Sequence, residues 1–132
     1  MLPLNGWALV MGLVTVFVGF TDAKADDGAK LYDEYCMSCH QPDGYGVPFQ
    51  QPALADSPMV NGPAAPLITF VLEGSQGQKN RVSEWENLMP GFSALEDDEL
   101  AAIMTHIRSS FGNHASSITK NMVHSQRTPH SP

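Results

Sequence analysis

Apolar residues recur at the three- and four-residue spacing of an α-helix in three stretches of this chain. The first, residues 26–36, opens with two aspartates, which favour the positive end of a helix dipole. The second, residues 61–72, ends before Gly74, a residue suited to a helix C-cap. The third, residues 95–111, has four acidic residues in its first turn and ends before Gly112. The pattern predicts helices over these three ranges.

The apolar faces of the three helices supply the predicted core. Gly28 lowers helix propensity, and close approach by another helix is the usual reason for a glycine there. Ser93 and Glu96 have the spacing of a capping box at the start of the third helix. The predicted core residues are Leu31, Tyr32, Tyr35, Leu67, Ile68, Val71, Leu72, Leu100, Ile103, Met104, Ile107 and Phe111.

The segments between the helices are interrupted by turn residues. Proline and glycine occur too often in residues 41–55 for a helix or a strand, and a long ordered loop in a small domain is usually functional. Residues 74–88 are polar and predict a loop or a short helix. Residues 113–127 are expected to add a short helical turn, and residues 128–132 to form a disordered tail.

The N-terminus carries an apolar run of 14 residues, Trp7–Phe20. This run is short of the roughly 20 residues that span a bilayer, and it fits the apolar region of a signal peptide. Ala23 and Ala25 are small residues placed for cleavage after Ala25. We predict a signal peptide over 1–25, one folded domain over 26–127 and a periplasmic location. An uncleaved membrane anchor stays open, because residues 1–6 contain no Lys or Arg.

The charge balance is acidic, with 14 Asp and Glu against 7 Lys and Arg and a net charge of −7. A nucleic-acid-binding protein would be expected to show a basic patch, and none is visible in the sequence. The length of 132 residues suggests one domain, whose core of side chains would be small. A large apolar cofactor would give such a loop-rich chain something to pack around.

Cys36, Cys39 and His40 form the pattern C-x-x-C-H, which is typical of covalent haem c attachment. One helical turn places both thiols on the same side for thioether bonds, and the adjoining imidazole can then bind the iron. A redox disulfide would be expected near a βαβ pattern, and a structural zinc site would need two further ligands. These are the only two cysteines in the chain, so one haem would use both.

Met89, followed by Pro90 and Gly91, is the predicted second axial ligand of the iron. A thioether is a soft ligand, and the pairing of His with Met raises the reduction potential of a haem. Met59, in a proline-rich loop, is the serious competitor, whereas Met104 is expected in the core. We therefore predict His40 and Met89 as the metal ligands.

Three further residues are candidates for binding the cofactor. A metal-bound histidine normally donates its second ring N–H to a carbonyl or carboxylate, and the carbonyl near Pro52 or Pro48 is the expected acceptor. The indole N–H of Trp85 could bind a haem propionate, although Trp85 could equally be an ordinary core residue. Arg81 is a weaker candidate for the same role, and a solvated loop position is its alternative.

These motifs together resemble the class I, single-haem cytochromes c of bacteria. The resemblance is strongest to the haem modules that accompany periplasmic quinoprotein and alcohol-type dehydrogenases or feed terminal oxidases. The residues that carry it are Gly28, Tyr32, Cys36 through His40, Pro52 through Ala55, Leu67, Ile68, Val71 through Gly74, Met89 through Phe92, and Leu95 through Asn113.

The resemblance implies an all-α fold in which a few helices wrap around one covalently bound haem. It implies that the first and last helices cross at Gly28 and Tyr32, with His40 and Met89 as axial ligands. Two positions depart from the family pattern. His106 stands where the last helix usually offers an aromatic residue, which predicts a weaker or pH-sensitive crossing, and a proline often seen before Pro52 is missing.

The expected function is electron transfer, because iron with both His and Met bound has no open position for a substrate. The resemblance implies a dehydrogenase as donor and an oxidase or reductase as acceptor, and the acidity predicts a basic docking face on the partner. No residue is assigned a catalytic role. A haem enzyme or small-ligand sensor with a displaceable Met is the alternative, and a purely structural haem protein is a third reading.

Overall fold

The computed structural model describes residues 23–76, 85 and 87–127. The apolar run of the predicted signal peptide, Arg81 and the predicted tail lie outside this part, and the predicted cleavage after Ala25 stays a prediction. The described residues form six helices and no strand, so the all-α prediction is confirmed. The helices are α1 (Ala23–Tyr35), α2 (Met37–His40), α3 (Pro58–Asn61), α4 (Ala64–Glu73), α5 (Asp97–Ser109) and α6 (Lys120–Arg127).

The start predicted for the second helix is wrong, because the helical conformation is interrupted between α3 and α4. The side chain of Ser57 accepts a hydrogen bond from the Val60 N–H and begins the single turn of α3. Pro63 has no N–H and an extended ψ of 142°, so the helix restarts after it. The predicted C-cap is confirmed, since Gly74 has φ 70° and its N–H donates to the Phe70 carbonyl.

The capping box of α5 is also displaced from its predicted position. It pairs Glu96 with Glu99 rather than Ser93 with Glu96. The helix begins at Asp97, two residues later than predicted, so the three-residue spacing of the box falls on the next glutamate. The carbonyl of Ser93 instead accepts a hydrogen bond from Arg127.

Helices α1 and α5 cross closely, as the resemblance implies. A Cβ atom on Gly28 would lie 2.4 Å from the Ala102 carbonyl oxygen, so the two backbones are in contact there. Tyr32 is buried beside this point, with its ring centroid 5.6 Å from that of His106 and 5.2 Å from that of Phe111. The crossing therefore rests on one small residue and a group of three rings.

The segment after α5 is more ordered than predicted. We name residues 112–127 the C-terminal strap; it ends in α6, a helix of eight residues rather than one short turn. Val123 is fully buried in the core that α4 and α5 share. The buried guanidinium of Arg108 donates to the carbonyls of Ser116 and Val60, which ties the strap to α5 and α3. The strap is thus part of the fold.

The predicted apolar faces of α4 and α5 are buried as expected. The buried apolar residues form two adjoining clusters, one on α4, α5 and the strap and one on α1, α3 and α5. None of the helices in the described ranges has the length and apolar character needed to cross a membrane.

Candidate functional site

A cavity of about 530 Å³ lies between α2, the loop that follows it, α4, α5 and the segment around Met89. Its lining is mostly apolar. Six of the seven predicted site residues line it, and the seventh, Arg81, lies outside the described residues. The six are Cys36, Cys39, His40, Pro52, Trp85 and Met89.

The two cysteines lie one turn apart at the edge of this cavity. The His40 N–H donates to the Cys36 carbonyl at 2.9 Å, which closes the turn that brings Cys36, Cys39 and His40 together. Cys39 is exposed, whereas Cys36 is half-buried. Burial, with a smaller contribution from Cys39, raises the pKa of the Cys36 thiol to about 11. This thiol is therefore protonated at neutral pH.

His40 is buried, and its imidazole is oriented by one backbone contact. Nδ1 of His40 lies 3.0 Å from the Pro52 carbonyl oxygen, the kind of contact that the sequence predicts near Pro52 or Pro48. A carbonyl can only accept, so Nδ1 carries the proton and Nε2 keeps a free lone pair. Burial lowers the pKa of His40, and the hydrogen bond to Pro52 opposes that shift. The neutral imidazole, which is the form that binds metals, is favoured.

The backbone of residues 41–52, which we name the proximal loop, holds the Pro52 carbonyl in place. Gly46 has φ 65°, and its N–H donates to the His40 carbonyl at 3.0 Å. A Cβ atom on Gly46 would lie 2.6 Å from the Pro52 carbonyl oxygen and 2.5 Å from that of Gln51. Val47 and Gln51 pair through an isolated bridge. The acceptor for His40 is therefore fixed within a short stretch of chain.

Gln51 is a cavity residue that the sequence analysis missed. Its Oε1 atom is buried and has no hydrogen-bond partner among the described residues, and the residue lines the cavity. An unpaired buried polar atom is costly unless a ligand satisfies the group, and the two ends of an amide exchange by rotation. The one sequence signal was its place directly before Pro52, where a proline is often seen.

Met89 belongs to a second supporting segment, residues 89–95, which we name the Met89 segment. The Met89 N–H donates to Ser75 Oγ at 2.9 Å, and the Met89 carbonyl accepts from the Ser75 N–H at 3.0 Å. A Cβ atom on Gly74 would lie 2.5 Å from the Met89 carbonyl oxygen and from the Gly91 nitrogen. The segment is therefore pressed against the C-terminal end of α4.

Two of the rival methionines also line the cavity. Met104 is fully buried in the core, as predicted, whereas Met59 lies on the single turn of α3 and is 47% exposed. Met89 is half-buried and packs against the main core cluster. Because Met89 is less exposed than Met59 and is hydrogen-bonded to Ser75, we favour Met89 as the ligand. That assignment stays a prediction.

Trp85 is half-buried and lines the cavity, as does Leu88, which is 48% exposed. A role for its indole N–H toward a propionate stays a prediction.

The family of proteins described as cytochrome c matches residues 25–111 of this chain. Cytochrome c-552 of Thermus thermophilus is 36% identical over 92 residues, which cover 66% of this chain and 70% of the relative. The fructose dehydrogenase cytochrome subunit of Gluconobacter japonicus is 33% identical over 112 residues, 78% of this chain. The gluconate 2-dehydrogenase cytochrome c subunit of Pantoea cypripedii is 34% identical over 103 residues, 70% of this chain. The match spans 22% of each of these two subunits.

Proposed function

Because this chain belongs to the cytochrome c family and carries covalently attached haem c, we propose that it moves single electrons between a periplasmic dehydrogenase and an oxidase or reductase. The observation that carries the proposal is the convergence of two thiols, a neutral imidazole and a thioether on one apolar cavity. The haem would supply the one-electron Fe(II)/Fe(III) chemistry.

The residues of the cavity fit this group. Cys36 and Cys39 lie one turn apart and would form the two thioether bonds. His40 has its Nε2 lone pair free for the iron, while Nδ1 is engaged by the Pro52 carbonyl. Gln51 also lines the cavity, where the NH2 of its amide, as the donor, would suit a propionate.

Met89 is the proposed sixth ligand. With both His40 and Met89 as ligands, the iron would have no open position for a substrate. The apolar lining keeps water from the site, which helps to set the potential. Electron transfer, rather than catalysis by this chain, follows from that arrangement.

The names of two relatives, cytochrome subunits of a fructose and a gluconate dehydrogenase, support a dehydrogenase as the donor. The net charge of −7 suits a partner with a basic docking face. Steered association of this kind weakens as salt is added. A rate of electron transfer that is independent of ionic strength would remove the electrostatic part of this proposal.

The visible spectrum of the purified protein tests the ligands. We expect a weak sulfur-to-iron charge-transfer band in the near red for the oxidised wild type. Met89→Ala should abolish the band, whereas the matched variant Met59→Ala should keep it. Loss of the band in Met59→Ala alone would reassign the ligand. A wild type without the band that binds CO rapidly when reduced would favour the ligand sensor instead.

The periplasmic location has its own test. Fractionation of the cells that express the full chain should release the haem protein with the periplasmic contents, and its N-terminal residue should be Asp26. Recovery with the membranes would favour the uncleaved anchor.

A further inference from the structure

We infer that Arg127, at the end of the C-terminal strap, is a positioning residue that holds Met89 at the iron. The inference rests on the proposed ligation by Met89. The strap lies beyond residue 111, where the match to the cytochrome c family ends. Its contact with the Met89 segment is therefore a feature of this chain that the family match does not supply.

The guanidinium of Arg127 binds three oxygen atoms. Nε donates to Asp97 Oδ1 at 2.5 Å, and one terminal nitrogen donates to the Ser93 carbonyl at 2.5 Å. The other terminal nitrogen donates to the Leu95 carbonyl. Ser93 and Leu95 belong to the Met89 segment, four and six residues after Met89. Arg127 thus joins the far end of that segment to the first residue of α5.

Helix α6, which carries Arg127, is held in place by several contacts. Val123, one turn earlier, is fully buried, and Gln126 Oε1 accepts a hydrogen bond of 3.0 Å from Thr69 Oγ1 on α4. His124 Nδ1 lies 3.1 Å from Asp97 Oδ2, a second contact with the same carboxylate. The helix is therefore held against both α4 and α5, and this fixes the position of the Arg127 guanidinium.

The near end of the Met89 segment is held separately. Met89 is bonded to Ser75, and the Phe92 N–H donates to the Val71 carbonyl at 3.0 Å. Beyond Phe92, the segment forms a turn that is closed by a hydrogen bond from the Leu95 N–H to the Phe92 carbonyl. Without Arg127, the carbonyls of Ser93 and Leu95 lose these hydrogen bonds to the strap. Met89 would then leave the iron more often.

An arginine is required for this contact because its planar guanidinium offers several donors in a fixed fork. A lysine could keep the charge next to Asp97 but could not reach two carbonyls and a carboxylate in the same geometry. Substitution by lysine should therefore preserve only part of the effect. This separates the positioning of Met89 from a general need for positive charge.

The test uses the oxidised holoprotein and imidazole as the probe. At saturating imidazole, the rate of replacement is set by how fast Met89 leaves the iron. We expect roughly a tenfold rise for Arg127→Gln, the ratio that corresponds to about 1.4 kcal/mol, and a smaller rise for Arg127→Lys. Lys120→Gln, an exposed position at the start of α6, should leave the rate unchanged.

Unfolding by denaturant is measured beside the imidazole rate. A lower unfolding midpoint for Arg127→Gln with an unchanged imidazole rate would show a purely structural role and overturn the inference. If Arg127→Gln does not fold, Arg127→Lys decides by the same comparison. A wild type that lacks the near-red band would overturn the ligation by Met89, and the inference with it. A wild type with the band and equal rates in all variants would overturn the inference alone.

Discussion

The proximal loop and the Met89 segment support two sides of one cavity by different means. The proximal loop is closed mainly by contacts between residues close in sequence, such as His40 and Pro52, 12 positions apart, although the Gln50 carbonyl also accepts a hydrogen bond from the Asn87 N–H. The Met89 segment depends more on distant parts of the chain, because Val71, whose carbonyl accepts from the Phe92 N–H, lies 21 positions before Phe92, and Arg127 lies 34 positions after Ser93. One support is mainly local, and the other is assembled from α4, α5 and the C-terminal strap.

This difference separates attachment of the haem from adjustment of its chemistry. The residues proposed for attachment, Cys36, Cys39 and His40, lie within one turn of the chain. Met89 depends on several elements at once, so changes far from the cavity can alter its contact with the iron. We expect variants in the two supports to change different properties of the protein, and by different amounts.

The largest expected effect is the loss of the cofactor when the proximal ligand is removed. His40→Ala should lower the yield of covalently haem-loaded protein by roughly tenfold or more, because the imidazole would hold the iron while the thioethers form. Met89→Ala should be loaded nearly as well as the wild type. Haem staining of denaturing gels, normalised to total protein, measures both. Equal loss in the two variants would remove the distinction between the supports.

A matched pair of glycine variants gives the next largest effect. Gly46 and Gly74 both have positive φ angles, and a Cβ atom on either would meet backbone atoms at 2.5 Å. Alanine at either position should lower the free energy of unfolding by about 1–3 kcal/mol. Denaturant titration checks this. The two variants should differ in their spectra and in their reduction potentials.

Gly46→Ala should displace the Pro52 carbonyl from His40, which weakens the basicity of the imidazole and raises the reduction potential while the near-red band remains. Gly74→Ala should weaken the band, because it pushes the Met89 carbonyl outward. Gly112→Ala is the control: its φ is 80°, but the nearest atom to its Cβ would be a side-chain oxygen of Asp56, at 3.1 Å, rather than a backbone atom. If Gly112→Ala changes the spectrum as much as the other two variants, the spectral changes do not come from the backbone contacts of Gly46 and Gly74.

The smallest expected effect lies at the α1–α5 crossing. Burial lowers the pKa of His106 below its usual 6.5, and Asp33 on α1 opposes the shift. The unfolded chain therefore takes up this proton first as the pH falls. The stability that the neutral ring contributes is present above about pH 6.5 and is lost as the pH falls through the lower folded pKa.

His106→Phe tests this at the crossing, because phenylalanine keeps a ring against Tyr32 and Phe111 without a titrating group. We expect the wild type to lose more free energy of unfolding than the variant between about pH 8 and about pH 5. Denaturant titrations at both pH values give the comparison. An equal loss in both proteins would assign the pH dependence to other groups.

The sequence was most informative where contacts are local. The C-x-x-C-H pattern and the proline-rich loop after it predicted the contact between His40 and a nearby carbonyl. Helix faces were read correctly, but the break at Pro63 and the capping box at Glu99 depend on where each helix begins, which periodicity does not define. The contacts of Val71 and Arg127 with the Met89 segment join positions 21 and more apart, and no local pattern indicates them.

The local closure of the proximal loop also bears on the order of biosynthesis. A chain made from its N-terminus presents Cys36, Cys39 and Pro52 before Met89 exists, and Arg127 comes last. Short loops close at low entropic cost, so the turn that carries the thiols can form in a partly emerged chain. Thioether formation is thus compatible with an incomplete polypeptide, whereas closure of the Met89 side must wait for the final residues of α6.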